Sequence, residues 1–232
     1  RYMNRFTYMS GNPDLKPETI HDLTLSGSYK WLQFMISYQR EKDAILYITE
    51  QYKKNPAITT VTHRNFNRID NFSAFLTASP AVGSWHPQLT VGVQKQWAKI
   101  EHNGETLQMD TPLFFCTLNN GIQLPYHWTL STDINFQSKG DYQNIYMYQN
   151  VFMMNATLTK SFLNEHLSIH LQGIDLTHGR KDGNRIYNKH MNMDVANVSD
   201  SRELRFTIRY KFNTAKSKYK GKGAATEEIK RL

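Results

Sequence analysis

The sequence predicts an all-β fold, an antiparallel up-and-down β-barrel that crosses a membrane with its strands. Three observations predict it. The first is alternation, as in Arg202–Phe212: Leu204, Phe206, Ile208, Tyr210 and Phe212 share one parity, and Arg205, Thr207, Arg209 and Lys211 the other. Side chains alternate faces along a strand, so one face is apolar and the other polar and basic. The second is that the pattern recurs along the chain in segments of roughly 10 residues or more, enough to cross an apolar band about 25 Å tall at a tilt of about 40°. The third is that Tyr29, Trp31, Trp85, Tyr126, Trp128, Phe162, Tyr210 and Phe212 gather at the ends marked by short turns, as an interfacial girdle does.

In chain order, Tyr2, Asn4, Phe6 and Tyr8 read as the end of a preceding strand. The turn formers of 10–18 interrupt it, because proline and glycine do not sustain a ladder. Leu23, Leu25, Gly27, Tyr29 and Trp31 then oppose Asp22, Thr24, Ser26, Ser28 and Lys30 in parity. Leu32, Phe34, Ile36 and Tyr38 begin a strand expected to pass Asp43 through a parity-shifting bulge and reach about Ile48. A polar loop near Glu50–Pro56 leads to a strand over 58–77. The next is lined by Leu89, Val91, Val93 and Trp97, and Asn103-Gly104 signals a two-residue hairpin. Strands follow through Phe114–Leu124, Trp128–Phe136, Phe152–Phe162 and Leu167–Leu171, with a loop opening at Lys139-Gly140-Asp141. A long polar loop over 177–199 precedes the last strand.

Nine strands result, joined by short connections near Trp31, Val82, Tyr126 and Asn164 and longer polar ones near Gln51, Gln143 and Lys189. Short turns on one side and long loops on the other characterise outer-membrane barrels. An open sheet of nine strands leaves two bare edges, so the expectation is a fragment whose missing strands precede Arg1. The two domains expected are 1–212, barrel, and 213–232, a basic disordered tail on the periplasmic side. A soluble all-β ligand-binding module is the competing reading of the same alternation.

Composition sets the limits. One cysteine in 232 residues excludes an internal disulfide framework. No apolar run is long enough for a transmembrane helix. The mean hydropathy of -0.62 is compatible with a barrel, where only alternate strand residues meet lipid. Half of the net charge of +8 lies in the tail, which holds Lys216, Lys218, Lys220, Lys222, Lys230 and Arg231 against Glu227 and Glu228. The rest of the sequence shows no basic stripe, and no nucleic-acid partner is expected.

The stretch Gly11-Asn12-Pro13-Asp14-Leu15-Lys16-Pro17-Glu18, followed by a strand and taken together with the terminal E-L-R-F-T-I-R-Y-K-F and its basic tail, resembles the C-terminal part of TonB-dependent receptor-like outer-membrane β-barrel proteins. The motif residues carrying it are Gly11, Asn12, Pro13, Leu15, Lys16, Pro17 and Glu18. The resemblance implies a barrel of about 22 strands, an N-terminal plug, and uptake of a scarce ligand driven through a TonB energy complex. It implies outer-membrane lipid, the plug and remaining strands of the parent chain, and the barrel-assembly machinery as partners. It also makes Phe212 the terminal aromatic read during assembly, although 20 residues follow it here.

No enzymatic motif is present: neither G-x-S-x-G nor H-E-x-x-H occurs, and an outer-membrane barrel enzyme would need a dispersed Ser/His/acid set. The nine histidines show no metal-ligand spacing, and His166 and His170 would lie about 13 Å apart on one strand face. No cofactor is expected. Cys116 reads as a lipid-facing apolar residue. Arg180, Lys181, Asp182, Asn184, Arg185 and Tyr187 are the candidate ligand contacts, since binding residues concentrate on loops carried by a rigid scaffold. Arg205, Arg209 and Lys211 face the lumen and are placed near the inner end, where they would meet a plug or water.

Overall fold

The computed structural model describes residues 2–52, 55, 57–198 and 200–212; the expected tail, 213–232, lies outside them. The strands are β1 (Tyr2–Asn4), β2 (Thr7–Met9), β3 (Thr19–Tyr29), β4 (Leu32–Gln51), β5 (Thr59–Ala78), β6 (Trp85–His102), β7 (Glu105–Met109) and β8 (Leu113–Leu124). They continue as β9 (Trp128–Gln137), β10 (Gly140–Tyr142), β11 (Ile145–Met147), β12 (Val151–Phe162), β13 (Leu167–Ile174), β14 (Lys181–Tyr187), β15 (Asn192–Val198) and β16 (Glu203–Tyr210). The long strands β3, β4, β5, β6, β8, β9, β12, β13 and β16 lie side by side in that order, each antiparallel to the next. Among the described residues β3 and β16 do not pair, so the sheet is open on both sides.

The registers align parities across the whole sheet. Phe34 lies opposite Leu76, Leu76 opposite Val91, Val91 opposite Cys116 and Cys116 opposite Phe136. Farther along, Leu158 lies opposite Leu171, and Leu171 opposite Phe206. This continuous apolar face is open to its surroundings, with Leu23 74% and Leu204 76% exposed. Contiguous apolar surface on this scale marks an interaction surface, here with lipid. The other face is polar: Gln33, Thr77, Thr90, Thr117 and Asn135 lie in one cross-strand row. Thr77 and Thr90 hydroxyls are 2.9 Å apart. Near the short-turn end, the polar Asn120 and Thr132 of the apolar face satisfy each other at 3.0 Å. The girdle aromatics are exposed at that same end.

β4 continues well above the apolar band. At Asp43, with φ of 54°, the ladder skips a rung between Lys42↔Arg68 and Ala44↔Phe66. Below it the even-numbered Phe34 and Ile36 are exposed; above it Ala44, Leu46 and Ile48 are buried. Ala44 and Leu46 pack with Ile69, Ala98, Ile100 and Met109. Ile69 and Ala98 alternate with the neighbours Asp70 and Trp97, which lie opposite each other. The bulge expected at Asp43 does not form, since the register of β4 on β5 is the same on both sides of the omitted rung; the backbone turn at Asp43 itself moves apolar side chains from the lipid side to the lumenal side.

Three further expectations are corrected. Residues 2–9 are not the end of a barrel strand: β1 and β2 form a small hairpin turned at Arg5-Phe6, and β2 runs parallel to β5, with Thr7 beside Thr59. The polar stretches opening at Lys139 and spanning 177–199 are not plain loops: β10, β11, β14 and β15 form a second, four-stranded sheet. Arg205 is not near the short-turn end. It lies opposite Gln172, away from the Leu167↔Tyr210 pair that marks that end, and is paired with Glu203 at 2.9 Å.

The face assignment predicts an asymmetric response to charge in the membrane-inserted protein. Ile134→Arg should destabilise the lipid-inserted state by about 2–4 kcal/mol, and the neighbouring lumenal Asn135→Arg by much less, measured by denaturant titration in lipid.

Candidate functional site

The second sheet joins chain segments some forty residues apart: Ile145 lies opposite Ile186, Tyr146 opposite Arg185 and Met147 opposite Asn184. Tyr146 and Tyr187 pack onto the core above the Asp43 kink, so this sheet covers the lumenal side of β4–β6. Three nearly buried amides pin it there. Asn188 accepts the Thr49 N–H at 2.7 Å and donates to the Thr49 hydroxyl. Asn144 Nδ2 donates to the carbonyls of Tyr47 at 2.9 Å and Tyr187 at 3.1 Å. Gln96 exchanges two bonds with the Gln143 backbone, at 2.8 and 2.6 Å. His102 Nδ1–H donates to the Asn188 carbonyl at 2.6 Å, and the His102 ring meets Tyr187 edge-on. Buried amides left without partners would be costly, so these pairings fix the sheet in one position.

The cleft arises where the main sheet forks. Ile69↔Ala98 is the last rung between β5 and β6; above it β5 stays with β4, and β6 turns through Asn103-Gly104 to pair with β7. The turn Asn188–Met191 roofs the fork, leaving a cleft of about 830 Å³. Its polar walls include the ion pairs Arg64–Glu50 at 2.9 Å and Lys189–Glu101 at 3.0 Å, with Lys99 and His190 beside them. Apolar Ile48, Phe66 and Ile100 complete it. An apolar floor with a few convergent polar groups is the usual make-up of a small-ligand site.

The Gly11–Glu18 motif is a strap over the kink. Ser10 N–H donates to the Val61 carbonyl at 3.0 Å, and Asn12 Nδ2 to the His63 carbonyl at 3.0 Å, while Asn12 Oδ1 accepts the Asp14 N–H. Lys16 exchanges two bonds with the Asn65 amide, which also donates to the Asp43 carbonyl at 2.7 Å. Glu18 then accepts the Ile45 N–H at 3.3 Å. Backbone groups released by the skipped rung thus find partners in the motif. Pro13 and Pro17 bring no N–H of their own to satisfy, and with Gly11 and Leu15 they space the bonding residues along this crossing.

Of the candidate ligand contacts, none lines the cleft. Lys181 and Asp182 begin β14 opposite Val198 and Asn197, and Asn184 lies opposite Val195. Arg185 grips Asp194 bidentately at 2.6 and 3.0 Å, which holds the Asp194 carboxyl below its ordinary range and raises the guanidinium. Tyr187 turns to the core, and Arg180 is exposed. The cleft instead uses the next turn, together with Glu50, Arg64, Lys99 and Glu101 from the extended strands. The polar, turn-like run 188–191 was the available signal, but only the fork of β5 and β6 shows that it roofs anything. Among the described residues no group of three or more His, Cys, Asp or Glu side chains is placed to hold a metal.

Asp175, buried at a φ of 47°, closes the base of the β14–β15 excursion. It accepts the N–H of Gly179 at 2.8 Å and of Arg180 at 3.3 Å, and the hydroxyl of Ser201 just before β16. Burial pushes its carboxyl up, but the bonds from Ser201, Gly179 and Arg180, with the nearby His178, outweigh this and lower it. A depressed carboxylate stabilises above its unfolded value and loses that contribution as pH falls through the folded one.

The sheet with its lipid face, lumenal face, short turns at one end and pinned loop sheet at the other defines an outer-membrane type of β-barrel. The chain belongs to the outer membrane protein beta-barrel family, whose model matches residues 1–210. Its place is therefore the bacterial outer membrane. Among solved structures it is similar to the outer membrane transporter YddB from Escherichia coli, at a TM-score of 0.53 and 12% identity, over 89% of this chain and 34% of that one. The likeness is one of fold, and the chain spans about a third of that protein's length. No curated protein matches the chain.

Two predictions follow from this geometry. Asn188→Ala should loosen the second sheet by about 1–3 kcal/mol, seen as faster hydrogen exchange at Thr49 and Tyr187 with the β8–β9 ladder unchanged. The Gly179 and Arg180 amides should keep their protection from pH 7 down through the ordinary carboxylate range and lose it only at still lower pH, and Asp175→Asn should weaken it already at pH 7.

Proposed function

We propose that this chain is the C-terminal part of an outer-membrane receptor of the TonB-dependent type, taking up a scarce ligand with energy supplied from the inner membrane. The observation that carries the reading is the loop sheet, pinned by Asn144, Asn188 and Gln96 over the lumenal side of the strands, with a mixed polar cleft at its edge. A pore for passive flux gains nothing from ordering so much chain over its mouth. A receptor does, because preorganised loops lower the entropic cost of capture. The exposed lipid-side face speaks against a soluble binding module.

In this reading the open edges of β3 and β16 pair with strands of the same parent chain to complete a barrel of about 22, since an unpaired edge in lipid leaves costly backbone groups. The loop sheet faces outward, and the C-terminus is periplasmic. Arg209 and Lys211 face an N-terminal plug that carries the TonB contact, and Phe212, in ring contact with Tyr210 at 4.6 Å, is the aromatic read by the assembly machinery.

The test replaces 181–198 by a short turn in the parent protein. Native cells are then grown with an iron–siderophore, an oligosaccharide or a peptide as the single limiting nutrient. The variant should remain a heat-modifiable outer-membrane species, yet lose growth on one of the three, matching the loss seen when the proton-motive force is collapsed. Growth equal to the unmodified strain on all three would contradict the proposal.

A further inference from the structure

The main sheet forks above Ile69↔Ala98, and, on the receptor reading of the cleft there, we infer that the fork binds a short peptide in extended form, as a strand added between β5 and β6. Two strand edges face each other across the opening. β4 holds one side of β5 from Leu32↔Ala78 to Gln51↔Thr59. On the other side β6 pairs with β5 only as far as Ile69, and β2 reaches from Thr59 only to Val61. Asn12 adds one side-chain bond, to the His63 carbonyl. Among the described residues no strand pairs with that side of β5 over 64–67.

On β6 the hairpin geometry decides which backbone groups point into the cleft. Asn103 and Gly104 both have positive φ, 51° and 83°, as a type I′ turn requires, so His102 and Glu105 close it as a hydrogen-bonded pair. Bonded and non-bonded pairs alternate along an antiparallel ladder. Ile100 and His102 therefore direct their N–H and C=O groups to β7, and Lys99 and Glu101 turn theirs the other way, toward β5. The Asn103 N–H, next in that parity, donates to the Lys189 carbonyl of the roof at 2.7 Å. A bond of the kind an added strand would make thus exists at the top of the fork. Below it, among the described residues, the cleft-side edge of Lys99 and Glu101 has no strand partner.

The dimensions and the lining suit a peptide. From the last rung at Ala98 to the bonded Asn103 is five residues, roughly 16 Å at about 3.3 Å per residue, the span of an extended peptide of about five residues. The cleft volume of about 830 Å³ lies within the usual range for a small ligand. In strand addition the main-chain bonds give affinity, and pockets for alternate side chains give specificity. One alternate set would meet apolar Ile48, Phe66 and Ile100, and the other the ion pairs Arg64–Glu50 and Lys189–Glu101. Those pairs are about half exposed and contribute little to stability, so they can exchange partners with the charged ends of a peptide. No Tyr or Trp lines the cleft and its Phe66 packs on the core, so it lacks the broad aromatic platform that would hold a sugar ring.

The test uses the purified protein in detergent and a pool of dye-labelled pentapeptides, apolar at the second and fourth positions and varied elsewhere, read by fluorescence polarisation. N-methylation of the pool at either alternate set of amides should weaken binding about tenfold or more, because it removes the donors that face one edge. Glu101→Pro removes a cleft N–H without breaking a bond to β7. It should bind the pool about tenfold more weakly than Glu101→Gln, which loses the same carboxylate but keeps the N–H. Thr106→Pro, the matching change on the outer edge of β7 opposite Glu101, should leave binding unchanged. Equal binding of the methylated and unmethylated pools, equal binding by Glu101→Pro and Glu101→Gln, or no binding of the pool would overturn the proposal. If the pool fails while replacement of 181–198 abolishes energy-dependent growth on the siderophore or the oligosaccharide, the peptide class falls and the receptor reading stands. Heat-modifiable mobility of each variant checks that the barrel has assembled.

Discussion

In lipid no water satisfies a backbone N–H or C=O, so a spanning sheet must pair every strand internally, and its outward side chains must tolerate hydrocarbon. That constraint organises this chain. The ladders from β3 to β16 run without interruption through the apolar band, and each carries its apolar residues in register with its neighbours. The polar lumen, the aromatic girdle and the confinement of irregular backbone to the two ends follow from the same requirement.

Above the band the constraint is released, and the structure changes character. Asp43 lets β4 reverse its faces, which moves Ala44, Leu46 and Ile48 inward and gives the loops an apolar surface to settle on. The Gly11–Glu18 strap repays the hydrogen bonds that the kink breaks, through Asn65 and Glu18. The fork of β5 from β6, roofed by Asn188–Met191, then follows from strands that no longer need to pair on both sides. Kink, strap, loop sheet and cleft are one dependent series.

The period-two alternation made the barrel strands legible, because each strand's outward face is read from its own residues. The strand order was legible too, since the connections are short at one end and up-and-down pairing follows from them. What stayed hidden depends on partners distant in sequence. Ile145 and Ile186 mark strands only when set side by side, so two short hairpins read as polar loops. Tyr187 reads from the sequence as a candidate ligand contact, and its packing against the core above the kink is visible only in the fold.

The central claim is that one face of this sheet meets lipid and the other water. Single cysteines placed in turn at 130–136 of the parent barrel, in a background with Cys116 replaced by Ala, test it directly. Each would be probed with a water-soluble maleimide and, as a fluorescent conjugate, with a quencher in the lipid chains. The account predicts a strict alternation, with quenching at Leu130, Ile134 and Phe136 and maleimide reactivity at Ser131, Asp133 and Asn135. Protection of the first set from lipid and water alike would contradict it, since those side chains would then lie in a protein core.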